Sequence, residues 1–151
     1  MASTSSLADA LITTLRNSSG SAFDALNTTL NDFGLLDTTN SGCVFVVLPG
    51  GFSRMPNAFG APQTKEQNTR LNVRCYTREM GSSVDTLNKV YQAEIDLVAA
   101  LSANDTLSGS ATFAFLESGN GWDGNYFVEL GGQIWVPQDF TIRVQTYDGL
   151  D

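Results

Sequence analysis

Between Ser82 and Leu101, apolar side chains recur at Val84, Leu87, Tyr91, Ile95, Val98 and Leu101, a 3.6-residue period that Val90 and Leu97 broaden. Ser82-Ser83-Val84-Asp85 supplies a capping sequence for the start. The spacing predicts a helix of roughly 19 residues, about 28 Å at 1.5 Å per residue, and assigns the stripe to the core. Just upstream the period changes to two. Leu71, Val73 and Cys75 alternate with Arg70, Asn72, Arg74, Tyr76 and Arg78, which predicts a half-exposed strand over 69–78. Residues 43–48, Cys-Val-Phe-Val-Val-Leu, form an apolar run closed by Pro49-Gly50-Gly51 and predict a central strand buried on both faces.

The other segments are shorter. Leu7, Leu11 and Leu15 recur every fourth residue after the capping sequence Ser6-Leu7-Ala8-Asp9, and Asn17-Ser18-Ser19-Gly20 stops the pattern, so a helix is expected over 6–16. Phe23, Leu26, Leu30 and Phe33 allow a second helical piece that Thr28-Thr29 weakens. From Phe52 to Asn68 the pattern dissolves into Gly, Pro and polar residues, which reads as a long loop. Strands are expected over 110–117, 126–136 and 139–147 as an antiparallel meander. Gly131-Gly132 would form a bulge or bend within it, and Pro137-Gln138 a tight turn. Helices and strands do not alternate one for one. The expected fold class is therefore α+β, a largely antiparallel mixed sheet packed against one long helix plus an N-terminal helix. At 151 residues and 16.2 kDa the chain is expected to be a single domain, 1–151, with an extended loop or arm at about 52–78.

Composition excludes whole function classes. The chain has no histidine, which removes Ser-His-Asp and Cys-His catalysis and every His-containing zinc site. Two cysteines, Cys43 and Cys75, are too few for a four-cysteine site; they read as buried thiols or as a disulfide between the two. Gly50-Gly51 and Gly131-Gly132 fit no nucleotide-binding pattern, and Asp123-Gly124-Asn125 with Glu129 falls short of a calcium loop. No carboxylate pair is singled out by spacing. The expectation is no enzyme, no metal and no cofactor. The three Asn-x-Ser/Thr tripeptides read as turn and cap chemistry, and neither an export signal nor a membrane-spanning run is expected.

Charge is low in density, 16% of residues, and acidic in balance, with 8 Lys plus Arg against 16 Asp plus Glu. It is unevenly placed. Arg54, Lys65, Arg70, Arg74 and Arg78 lie within 54–78 beside a single acid, Glu66, while the remaining three cations face fifteen acids. Spacing puts Arg70, Arg74 and Arg78 on one strand face with Tyr76 beside them. That face reads as solvated, or as a docking face for the acidic surface of another copy or partner; the acidic body opposes nucleic-acid readout. Trp122, between Gly121 and Asp123, reads as an interface anchor or as a ring folded onto its own hairpin.

The order of segments resembles the tail terminator, or tail completion, proteins of long-tailed bacteriophages, of the lambda minor-tail-protein type and its neck-protein relatives. The resemblance rests on the N-terminal helix, Val44-Phe45-Val46-Val47, the run from Arg70 to Arg78, and the long helix ending Ile95-Asp96-Leu97-Val98-Ala99-Ala100-Leu101. It continues through the Asp105–Ala111 turn and the Gly131-Gly132 strand, and covers about residues 5–147. It implies a virion subunit, made in the host cytoplasm, that closes into a ring, six-membered in that family, on the tail tube. Such a ring ends tube growth, joins the tube to head–tail connector proteins and lets DNA pass. Its partners would be further copies of itself, the tube protein and the connector, with no membrane and no sequence-specific nucleic acid. A head-completion or stopper ring is the neighbouring alternative. A monomeric ligand- or carbohydrate-binding module using Trp122 and Tyr126 is the alternative from another class.

Overall fold

The computed structural model describes residues 3–17, 26–27, 43–56, 65–78, 83–120, 127–130 and 132–148. Its elements run α1 (Thr4–Arg16), β1 (Leu26–Asn27), β2 (Cys43–Pro56), β3 (Lys65–Arg78), α2 (Ser83–Ala103), β4 (Phe113–Gly119), β5 (Val128–Leu130) and β6 (Gln133–Asp148). The fold is α+β. The sheet order is β1-β2-β3-β6-β4, with β5 also paired to β6; the short β1–β2 pair is parallel and every other pair antiparallel.

The frame of the sheet is the pairing of β3 with β6 over the whole of β3, from Lys65↔Asp148 to Arg78↔Trp135. Alternation then sorts the side chains. Leu71, Val73 and Cys75 share one face with Phe140, Ile142 and Val144 of β6 and Phe45 and Val47 of β2. Both helices lie on this face and complete one buried cluster. From α1 come Leu7, Leu11, Ile12 and Leu15; from α2 come Ala93, Leu97, Ala100 and Leu101. Each buried Leu contributes about 1.5–3 kcal/mol relative to exposure. The opposite face carries no helix among the described residues, only a small cluster of Val46, Tyr76 and Trp135 flanked by Leu48 and Val128.

Several elements depart from the sequence expectation. α1 begins one turn early because Ser3, not Ser6, is its cap, with Ser3 Oγ accepting from the Ser6 backbone N–H at 3.1 Å. Within the expected second helical piece, Leu26–Asn27 is instead a strand beside Phe45 and Val46; the rest of 23–33 lies outside the described residues. The long loop expected over Phe52–Asn68 is mostly strand, since β2 runs on to Pro56 and β3 starts at Lys65. A one-residue bulge between Pro49 and Phe52, with Gly51 at φ 88°, carries the strand through the Pro-Gly-Gly sequence without ending it. Gly50 is required there, because a Cβ would sit 2.9 Å from the Arg70 carbonyl oxygen.

At the other end of the chain, the expected strand over 126–136 is a hairpin, β5 turning at Gly132 (φ 78°) into β6. The tight turn expected at Pro137-Gln138 is absent and β6 runs unbroken through both residues. β5 pairs with β6 up to Trp135 and β4 from Phe140 onward, so among the described residues Pro137 falls where one edge of β6 pairs with no strand, a position that accommodates a residue without an N–H. The three strands are consequently not a meander; β4 and β5 share one edge of β6, end to end. The turn after α2 is built as a left-handed run, Leu107 at φ 50°, Ser108 at 58° and Gly109 at 92°. The Asn104 side chain clamps it, accepting from Ser108 N at 2.9 Å and donating to Ser108 Oγ at 3.0 Å, which turns Leu107 into the core.

Candidate interaction surfaces

Two surfaces stand out on opposite sides of the layered fold. The first is the helix-free sheet face. Alternation along β3 puts Arg70, Arg74, Tyr76 and Arg78 on it, and the register brings Asp139 and Arg143 of β6 opposite Arg74 and Arg70. β4 adds Glu117 through a bulge between Leu116 and Ser118, an extra residue that aims its carboxylate across β6. The Arg74–Asp139 pair is two-pronged, Nε to Oδ1 at 2.7 Å and NH2 to Oδ2 at 3.3 Å. The Asp139 bond first, and Tyr76 second, raises the guanidinium pKa above its ordinary value. The exposed pair is worth about 0.5–1 kcal/mol.

Arg70 and Arg143 face each other with like charge and share one acid. Arg70 Nε donates to Glu117 Oε2 at 3.1 Å, while Arg143 NH1 is 3.8 Å from Glu117 Oε1. Arg143 Nε is buried without an acceptor among the described residues, so two guanidinium groups share one carboxylate here, while a second acid of the same face, Glu66, accepts from Asn68 and Gln145. Beside it on the same face lie Phe113 and Phe115, opposite Gln145 and Arg143, with ring centroids 5.4 Å apart.

The expected basic arm is thus not one surface. Arg54 pairs in register with Gln67, which alternation assigns to the helix-covered face, away from Arg70. Lys65 opens β3 opposite Pro56 and Asp148. Tyr76 is buried rather than presented. Trp122 and Tyr126 lie outside the described residues, as do Asp123-Gly124-Asn125. Cys75 is buried, and its register partner is Phe45, while position 43 lies opposite Thr77. Sequence reading missed Glu117, Asp139 and Arg143 because their relevance depends on strand register.

The second surface is the outer side of α2. The stripe assigned to the core is in fact split. Val84, Tyr91, Ile95 and Val98 are 66%, 60%, 58% and 42% exposed, while Val90, Leu97 and Leu101 of the same stripe are buried with Thr86, Ala93 and Ala100, and Leu87 is half-buried. The reason is geometric: Ala93 and Ala100, one turn on either side of Leu97, let the helix axis approach the sheet, and the bulkier stripe is rotated away. Gln138 Nε2 donates to the Val90 carbonyl at 3.4 Å on the buried side. With Asn88 and Ser102, both exposed, the outer stripe reads 84, 88, 91, 95, 98, 102, the four-and-three spacing of a helix-packing seam. Its four large side chains present roughly 400 Å², the size of the largest apolar patches on monomers. Asp85 and Glu94 flank it.

Among the described residues no three of Cys, Asp and Glu converge on a metal position, and no helix is long and apolar enough to cross a membrane. A cleft of about 370 Å³ between the start of α1 and β2, lined by Thr4, Ser5, Ala8, Asp9, Val47 and Pro49, has Asp9 as its one ionisable side chain. No protein-family model matches the chain, and no curated protein matches its sequence.

Proposed function

We propose that this protein is a structural virion subunit, a tail terminator that closes into a ring, six-membered by resemblance, on the end of a phage tail tube, halts tube growth and offers a surface to the head connector. The observation that carries the reading is the exposed seam on α2. A helix that directs Val84, Tyr91, Ile95 and Val98 to solvent leaves an apolar patch of roughly 400 Å², enough for the centre of an interface. On the far side of the subunit lies a sheet face of different chemistry, arginine–carboxylate pairs with aromatics. Rings need two different, complementary surfaces on each subunit, because their contacts are heterologous. The net charge of −8 suits a channel through which DNA slides without being held.

The test is negative-stain imaging of the protein mixed with assembled tail tubes. Rings seated on one end of each tube, with tubes that no longer lengthen when fresh tube protein is added, support the terminator. Rings that ignore tubes but bind connectors favour the stopper position. Monomers at every concentration, with or without tubes, overturn the ring.

A further inference from the structure

We infer that the occupant of the α2 seam is a second copy of this chain, and that the part of the copy it meets is the Phe113–Phe115–Arg143 corner of the helix-free sheet face. The inference rests on the ring reading and names its interface. A stable interface buries roughly 800 Å² per side; the seam supplies about half of that as apolar centre, and its polar flanks supply the rim.

Charge then selects the surface that covers it. The flanking positions of the seam hold Asp85, Leu87, Gln92 and Glu94, with no cation among them. Packing α2 on a second α2 about a two-fold axis near Tyr91 would seat Glu94 at Asn88 of the copy and leave both Glu94 carboxylates on one side of the seam with no cation to pair them. The exposed side of α1 is polar, with Ser5, Asp9 and Thr13, and offers no apolar counterpart. The sheet corner offers both missing properties. Phe113, 41% exposed, and Phe115 make an aromatic platform. Next to it, Arg70 and Arg143 share the single Glu117 carboxylate, and the other acid of the corner, Glu66, is engaged by the Asn68 and Gln145 amides rather than by a guanidinium. Seating the seam on the platform brings Glu94 to these two guanidinium groups as a second carboxylate. The two surfaces lie on opposite sides of the subunit, so the contact runs head to tail. It closes if each step rotates and extends into a fibre if it does not.

Charge exchange in the full chain tests the contact, read by sedimentation velocity over a concentration series, with circular dichroism to show that each variant is folded. Glu94→Arg and Arg143→Glu are each expected to raise the concentration needed for assembly about tenfold or more. The double variant is expected to return it to within about threefold of the parent. Tyr91→Ser, on the exposed side of α2, should weaken assembly while lowering the melting temperature in dilute solution by only about 2–4 °C, which covers the case in which Arg143→Glu fails to fold beside Glu117. If the parent forms rings and Glu94→Arg and Tyr91→Ser assemble like it, the contact is wrong and the ring reading stands. If charge exchange rescues assembly but the product is an open fibre, the contact stands and the ring falls. A parent that never assembles overturns both.

Discussion

Leu97 and Ile95 are two residues apart on α2, and the structure assigns them to opposite environments. Leu97 is fully buried among the α1 leucines and the sheet, whereas Ile95 is 58% exposed. Leu97→Ala removes packed carbon from a close-packed site and should cost about 3 kcal/mol. At roughly 2–4 °C per kcal/mol for a chain of this size, the melting temperature should fall by about 6–12 °C. Ile95→Ala loses less than half of a full burial, about 1 kcal/mol, and regains about 0.4 kcal/mol from the better helix propensity of alanine. Its net effect on the monomer should be about 0.5 kcal/mol, a shift of about 1–2 °C. The assay is thermal unfolding followed by circular dichroism, run dilute so that association does not contribute and repeated at high concentration. There, Ile95→Ala should lose the concentration-dependent part of the parent's stability. If Ile95→Ala in dilute solution destabilises as much as Leu97→Ala, α2 is rotated relative to this account and the exposed seam does not exist.

Three further outcomes follow from local geometry. Gly50→Ala forces a Cβ to 2.9 Å from the Arg70 carbonyl and should cost about 1–3 kcal/mol in denaturant unfolding; no loss would mean the β2 bulge is placed wrongly. Asn104→Ala removes both side-chain bonds that hold the left-handed turn and should cost about 1–2 kcal/mol, with faster amide exchange at Ser108 and Gly109; unchanged exchange would contradict the clamp. Asp139→Asn should cost no more than about 1 kcal/mol. The parent's Arg74–Asp139 contribution should not decline from neutral to mildly alkaline pH. A raised Arg74 pKa keeps that contribution in full below the unfolded value, and it fades only as pH climbs through the folded one. A loss at mildly alkaline pH, absent in Asp139→Asn, would refute this.

Local periodicity carried much of the fold. Leu7, Leu11 and Leu15, the alternation from Leu71 to Cys75, and the length of α2 are all imposed by neighbours a few residues away, and the α+β class follows from their order. What escaped was set at long range. Pro49-Gly50-Gly51 and Pro137 read as chain breaks, yet bulge geometry and, among the described residues, an edge without a strand partner absorb them. On α2 two faces satisfy the same period. Val90, Leu97 and Leu101 of the expected stripe are buried, but close helix–sheet packing adds the small Ala93 and Ala100 and leaves Val84, Tyr91, Ile95 and Val98 exposed. The candidate surfaces were legible in part: Arg70 and Arg74 were visible as one strand face, but the acids that pair with them, Glu117 and Asp139, come from other strands.

The central claim is that this subunit works by closing a ring, and native mass spectrometry of the full chain across a concentration series, with and without tail tubes, tests it most directly. The account predicts one closed stoichiometry that replaces the monomer as concentration rises or when tubes are added, with few intermediates. A monomer that persists throughout, or a ladder of dimers, trimers and longer open chains with no favoured size, would contradict it.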